Sequence, residues 1–121
     1  MKANQQMLNV IHRIVLASLL VISFQVMNAV ALEFPAGSSI VTLQKMKFIP
    51  QEITIKRGES VHWINREKRQ YHSVWFEKYG DPEPDYIFPD EAYSRHFDQV
   101  GSFEYRCGPH PEMTGVVHVV E

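Results

Sequence analysis

Three potential metal ligands lie close together near the C-terminal end of the chain. Cys107, His110 and Met113 follow one another at intervals of three residues, within the run 107–113, which reads CGPHPEM. Proline on both sides of His110 restricts the backbone φ angle, so we expect a stiff loop that keeps its ligands in place. A second imidazole, that of His72, lies upstream in a strand-like run.

These four side chains form the ligand set of one kind of metal site. Two imidazoles and a thiolate, with a weakly bound axial thioether, make up electron-transfer copper centres. Thiolate and thioether favour Cu(I) and imidazole also suits Cu(II), so such a site need not rearrange much when an electron arrives. Zinc is the competing metal, but it prefers closed sets of Cys and His. The sequence predicts one copper ion, Cu(I) or Cu(II), bound by His72, Cys107, His110 and Met113.

The first 31 residues have the composition of an export signal. They include the basic residues Lys2 and Arg13, an apolar run over 14–24 and a small-x-small ending, but no acidic residue. This pattern is typical of a secretory signal peptide. We therefore expect residues 1–31 to be cleaved off and residues 32–121 to form a single periplasmic domain. The alternative, a retained membrane anchor, would need ~20 apolar residues, which this segment reaches only if three polar residues are tolerated.

The composition of the mature domain excludes several function classes. After cleavage it carries ten basic and fourteen acidic side chains, a net charge of −4. No basic excess remains that would indicate a nucleic-acid partner, and no second long apolar run would span a membrane. A single domain of this size has a modest core and little room for a substrate pocket. We expect a soluble monomer that is not an enzyme.

Cys107 is the only cysteine of the chain. In an oxidising compartment cysteines usually pair as disulfides, so a single cysteine needs another explanation. A buried unreactive thiol and an intermolecular disulfide are two alternatives, and a thiolate bound to a metal is the third. The spacing of His110 and Met113 favours the metal-bound thiolate.

The rest of the domain has the pattern of short β-strands. Polar and apolar residues alternate over 52–56, and the runs 93–97, 102–105 and 116–120 are rich in aromatic and β-branched residues. Turn residues separate such runs, and no segment has a sustained helical period. The pattern predicts an all-β fold, an antiparallel sandwich or barrel. The proline- and acid-rich segment 79–91 is predicted to be a long surface loop.

Other residues that could bind metal or relay electrons are given structural roles. Met46 lies in a strand-like run and is predicted to pack in the protein interior. Three further histidines fall at polar positions of such runs, which predicts that they are solvated: His62, His96 and His118. The aromatic residues at strand spacing are predicted to form the core: Trp63, Phe97, Phe103 and Tyr105.

From about residue 40 to the C-terminus, the sequence resembles the cupredoxins, the type 1 blue copper proteins. The short spacing within 107–113 is most similar to the amicyanin branch, as are the segments 45–48 (KMKF), 63–67 (WINRE) and 91–94 (EAYS). The resemblance implies a Greek-key β-sandwich of about eight strands. It also implies the same four copper ligands, with His72 supplied by a loop beside the other three.

The resemblance further implies a periplasmic electron carrier. Its partners would be redox proteins, a dehydrogenase as donor and a c-type cytochrome as acceptor, with electrons crossing at the exposed edge of His110. Two alternatives are a copper-delivery protein and a small copper enzyme. Delivery proteins commonly have exposed sites rich in Met and His, which this chain lacks, and an enzyme needs an open coordination position.

The sequence departs from amicyanin around the first ligand. Tyr71 replaces the proline that precedes the first ligand histidine in amicyanin, and the segment 65–72 is one residue longer. The segment between His72 and Cys107 is shorter. The resemblance assigns Asn65 the role of tying the two ligand loops together. The longer segment begins at this residue.

Overall fold

The computed structural model describes residues 4–13 and 32–121. Residues 4–13 are helical, whereas the apolar run 14–24 and the expected cleavage site after Ala31 lie outside the described residues. Within the two described ranges, no helix is long and apolar enough to cross a membrane. Residues 32–121 belong to a separate compact unit that carries all four predicted ligands.

Residues 32–121 form two facing β-sheets. One sheet has the strand order β2-β1-β4-β5 and the other the order β3-β7-β6. The strands are β1 (Ser39–Gln44), β2 (Lys47–Ile49), β3 (Glu52–Lys56), β4 (Ser60–Asn65), β5 (Ala92–His96), β6 (Gly101–Arg106) and β7 (Thr114–Val120), and a 3₁₀ helix spans Glu77–Tyr79. The predicted all-β sandwich is therefore confirmed, with seven strands where about eight were expected.

Two pairs of strands are parallel, whereas the strand pattern predicted an antiparallel sandwich or barrel. β1 runs parallel to β4, and β3 runs parallel to β7. A parallel pair requires the chain to leave and return by a crossover. Between β1 and β4 the chain passes through β3 in the opposite sheet, so it re-enters the first sheet in the original direction. Alternation of polar and apolar residues does not contain this information.

The core between the sheets is aromatic. Trp63 is fully buried, and its ring meets those of Tyr105 and Phe76 edge-on at centroid distances of 5.4 and 6.1 Å. Phe97 is buried beside them, and Phe103 packs against the cluster while partly buried. These four predicted core residues, Trp63, Phe97, Phe103 and Tyr105, are therefore in the core.

Met46 does not pack in the interior as predicted. Lys45 and Met46 form the turn between β1 and β2 with positive φ angles of 54° and 58°. A tight turn of this kind points side chains away from the sandwich, and Met46 remains 36% exposed. The strand-like run that contains it is two short strands with a turn between them.

The strand ends place the predicted ligands at one end of the sandwich. β6 ends at Arg106 and β7 begins at Thr114, so the run 107–113 is the loop that joins them. The segment with His72 is attached by two isolated bridges, one between His72 and Ile87 and one between Trp75 and Arg106. The segment 79–91 is largely a surface loop, as predicted, but its Ile87 is buried and pairs with His72.

Candidate metal centre

Three of the four predicted ligands bring their donor atoms together. His72 Nδ1 lies 3.7 Å from Cys107 Sγ, and His110 Nδ1 lies 3.5 Å from the same sulfur. The two Nδ1 atoms are 3.2 Å apart. Among the described residues, this trio is the only group of three or more His, Cys, Asp or Glu side chains that could bind a metal.

The size of this triangle fits a transition metal ion. In a triangle with sides of 3.2, 3.5 and 3.7 Å, the point equidistant from all three atoms lies about 2.0 Å from each. Zinc, a transition metal of similar size, forms bonds of about 2.0–2.1 Å to imidazole and about 2.3 Å to thiolate. Two imidazoles and one thiolate in a trigonal set are the donors that suit copper.

Met113 closes the loop that carries two of these donors. Its N–H donates to the carbonyl of His110, and its own carbonyl accepts from the N–H of Cys107, both at 2.9 Å. The side chain is 2% exposed. The backbone thus folds back on itself between Cys107 and Met113, and the thioether lies in the buried part of the loop.

The His72 imidazole is completely buried and faces the site with Nδ1. Burial, followed by the neighbouring His110, lowers the pKa of His72, so the ring is neutral near pH 7 and can donate a nitrogen lone pair. Nε2 finds no hydrogen-bond partner among the described residues. The nearest carboxylate, that of Glu67, lies 3.7 Å away, which is too far for a direct hydrogen bond.

The Cys107 sulfur is also fully buried. Burial is the largest cause that raises the pKa of its thiol, and a hydrogen bond from the backbone of Ser73 acts in the opposite direction. A metal binds the thiolate rather than the thiol, so binding releases a proton. Copper affinity should therefore fall as the pH falls.

Ser73 ties the two ligand segments together. Its N–H donates to Cys107 Sγ at 3.3 Å, and its hydroxyl accepts from the N–H of Gly108 at 2.8 Å. A Cβ at position 108 would lie 2.9 Å from the Ser73 hydroxyl, so a glycine permits this close approach. Sequence reasoning missed Ser73, and its position next to His72 was the only available signal.

Asn65 has a different role from the one that the resemblance assigned. Its Nδ2 donates to the carbonyls of Gln70 and Ile87, each at 2.8 Å, and its Oδ1 accepts from the N–H of Glu67 at 2.9 Å. All three partners lie on the His72 side of the site. Asn65 therefore shapes the longer segment 65–72, while Ser73 makes the link to the Cys107 loop.

Comparison with known proteins agrees with this geometry. The family model described as copper binding proteins, plastocyanin/azurin family, matches residues 36–120. The chain belongs to this family. Amicyanin from Paracoccus versutus is 40% identical over 93 residues, which cover 74% of this chain and 70% of the relative. Amicyanin-alpha from Methylorubrum extorquens is 41% identical over 91 residues, covering 72% and 76% of the two chains.

Solved structures extend the similarity to three dimensions. The crystal structure of amicyanin from P. versutus matches with a TM-score of 0.68 and 39% identity, over 74% of this chain and 88% of the other. The predicted cupredoxin fold and the resemblance to amicyanin are thus confirmed. The chain is a blue-copper electron-transfer protein of this family and not an enzyme, and its His72–Cys107–His110 site fits one copper ion.

The surface of this cupredoxin beside His110 is aromatic. Tyr71, which replaces the expected proline, stacks on Tyr86 with ring centroids 4.8 Å apart. The centroids of the Phe88 and His110 rings lie 5.9 and 6.5 Å from that of Tyr71. Tyr71, Tyr86 and Phe88 are 40, 44 and 51% exposed. We call these three residues the aromatic patch.

The three other histidines of the domain lie outside the metal trio. His62 contacts Ser94, His96 pairs with Asp98, and His118 pairs with Glu52. Each is at least partly exposed, which agrees with the solvated positions predicted for them.

The hydroxyl of Ser73 should contribute to the stability of the copper-free protein. Ser73→Ala removes the acceptor for the Gly108 N–H in a partly buried setting, which should lower the free energy of unfolding of the copper-free protein by about 1–3 kcal/mol. Urea denaturation followed by tryptophan fluorescence measures this. Ser39→Ala is the matched control, since no hydrogen bond of the Ser39 hydroxyl is found among the described residues, and its loss should change stability by less than about 0.5 kcal/mol. Equal stabilities for the two variants would contradict the assigned role of Ser73.

Proposed function

We propose that this cupredoxin carries single electrons in the periplasm, with one copper ion bound by His72, Cys107, His110 and Met113. The observation that carries the proposal is the triangle of donor atoms, whose centre is about 2.0 Å from each of them. Met113 would supply the fourth donor, its thioether, an assignment that rests on its place in the closed loop and on the ligand set of such centres.

The protein residues supply what a reversible one-electron centre requires. When bound, copper supplies the Cu(I)/Cu(II) couple. His72 and Cys107 are buried, so solvent does not reach their donor atoms. The hydrogen bonds of Ser73 keep these donors in place. With copper bound, two imidazoles, a thiolate and a thioether would fill the coordination shell and leave no position for a substrate. This arrangement supports electron transfer over catalysis at the metal.

His110 is the proposed site where electrons enter and leave. It is only half-buried, whereas His72, Cys107 and Met113 are buried. The exposed aromatic patch lies beside it, and exposed apolar surface with a polar surround is typical of an interaction site. A redox partner that docks on the aromatic patch would bring its own centre close to His110.

The partners follow from the resemblance to amicyanin. We take the donor to be a dehydrogenase and the acceptor to be a c-type cytochrome. At Tyr71 and the segment 65–72, the surface that these partners would contact differs from that of amicyanin. Stopped-flow mixing of the copper protein with candidate cytochromes from the same organism tests the acceptor, and failure of every one to react would contradict that part of the proposal.

Export rests on the N-terminal sequence. The basic start, the apolar run 14–24 and the small residues Ala29 and Ala31 support cleavage after Ala31. The N-terminal sequence of the protein recovered from the periplasm should therefore begin at Leu32. Recovery of the intact chain in the membrane fraction would show instead that the segment is a retained anchor.

The copper site has a direct spectroscopic test. Addition of Cu(II) to residues 32–121 should give an intense visible band from thiolate-to-copper charge transfer and an EPR signal of one copper per chain. Cys107→Ser should abolish the band, because the thiolate is its source. His118→Ala is the control for a histidine outside the site and should leave the spectrum unchanged. A wild-type protein that stays colourless after addition of Cu(II) would contradict the proposal.

A further inference from the structure

The side chain of Arg106 holds the start of the ligand loop. Arg106 is the last residue of β6 and directly precedes Cys107. Its Nη1 donates to the carbonyl oxygens of Cys107 and Gly108, each at 3.1 Å. Among the hydrogen bonds of residues 32–121, these two carbonyls accept from no other donor. The orientation of the first two peptide groups of the loop therefore depends on this guanidinium.

The ligand loop needs donors from outside itself. Proline has no N–H, so Pro109 and Pro111 each remove a donor from the loop. The N–H of Gly108 is already bonded to Ser73. A guanidinium carries five N–H donors in a planar fork, so one side chain can satisfy two carbonyls and still bind a third partner.

The guanidinium is itself fixed from two directions. Its Nε donates to the Glu77 carboxylate at 2.7 Å, a charge-assisted bond of the stronger kind. Its Cζ lies 4.5 Å from the centre of the Trp75 ring, within the range of a cation–π contact. The hydrogen bond to Glu77 is also the main reason why the pKa of Arg106 is raised, so the side chain stays charged.

Trp75 extends this arrangement to the other ligand segment. Trp75 and Arg106 exchange backbone hydrogen bonds of 2.8 and 3.1 Å, and Trp75 follows His72 by three residues. The indole N–H donates to the carbonyl of Asp81 at 2.9 Å, which holds the ring under the guanidinium. Arg106 thus joins the His72 segment and the Cys107 loop by a second route that is independent of Ser73.

We propose that Arg106 is a positioning residue of the copper site. By holding the peptide groups that lead from Cys107 to His110, it limits how far these ligands move when the metal changes oxidation state. A small displacement between the two oxidation states is what permits fast electron transfer. This inference rests on the proposed function, because it takes copper bound at Cys107 and His110 as the redox centre.

Three variants separate the fork, the charge and the general effect of losing a cation. Arg106→Lys keeps the charge but lacks the planar fork, and Arg106→Gln lacks both. Arg57→Gln is the matched control, since Arg57 pairs with Glu121 on the surface and does not contact the ligand loop. The electron self-exchange rate of the copper-loaded proteins, measured by NMR line broadening, should be clearly lower in both Arg106 variants than in the wild type. The control should match the wild type.

The copper-free proteins give a second readout that does not depend on the metal. Alkylation of the buried Cys107 thiol requires local opening of the loop, so loss of the two hydrogen bonds should raise the alkylation rate about tenfold. If either Arg106 variant fails to fold, Glu77→Gln, which leaves Arg106 in place without its charged partner, should change both rates in the same directions.

The outcomes separate this inference from the proposed function. Slower self-exchange and faster alkylation in Arg106→Lys support the positioning role. Wild-type values for Arg106→Lys in both measurements overturn it, whatever Arg106→Gln does, because only the fork is missing. A wild-type protein that shows no thiolate-to-copper band would instead overturn the proposed function, while the alkylation rates would still report whether Arg106 holds the loop.

Discussion

Two hydrogen bonds of Ser73 join the parts of the chain that carry the metal ligands. The backbone N–H of Ser73 reaches Cys107 Sγ, and its hydroxyl receives the N–H of Gly108. His72 precedes Ser73 directly, so these bonds set the position of one imidazole relative to the thiolate. The third donor, His110, follows through the short stiff loop. The geometry of the whole trio therefore depends on a contact between residues 34 positions apart.

The sandwich holds the ligand loop in place and also buries two of its ligands. β6 ends directly before Cys107 and β7 begins directly after Met113, so both ends of the ligand loop are held in the sheet. Burial lowers the pKa of His72 and raises that of Cys107. The imidazole is then ready to bind a metal, whereas the thiol must first lose its proton. Half-buried His110 completes the site and connects it to the aromatic patch at the surface.

The parts of the structure that depend on local sequence could be predicted. Three of the four proposed ligands lie within seven residues, and the alternation over 52–56 and 116–120 indicates strands without knowledge of their partners. The parallel pairing of β1 with β4 could not be predicted, because it depends on the path between the sheets. The exposure of Met46 could not be predicted either. It depends on a turn with two positive φ angles, and the residues around this turn are ordinary strand-forming residues.

The contacts that hold the site were also beyond sequence reasoning. Ser73 and Arg106 each adjoin a predicted ligand in the sequence, but only the fold shows that the first contacts Gly108 and the second contacts two loop carbonyls. Asn65 was assigned the link between the loops by resemblance. The extra residue in the segment 65–72 instead gives its side chain partners on one side of the site.

Ser73 holds the two ligand segments together even when no metal is bound. Amide hydrogen exchange of the copper-free protein tests this most directly, at the Ser73 N–H that donates to Cys107 Sγ. This amide should exchange as slowly as that of Trp63 in the buried strand β4, because both open only when the core opens. Exchange as fast as that of the exposed Lys68 would show that Ser73 does not join the segments in the absence of metal, and would contradict its assigned role.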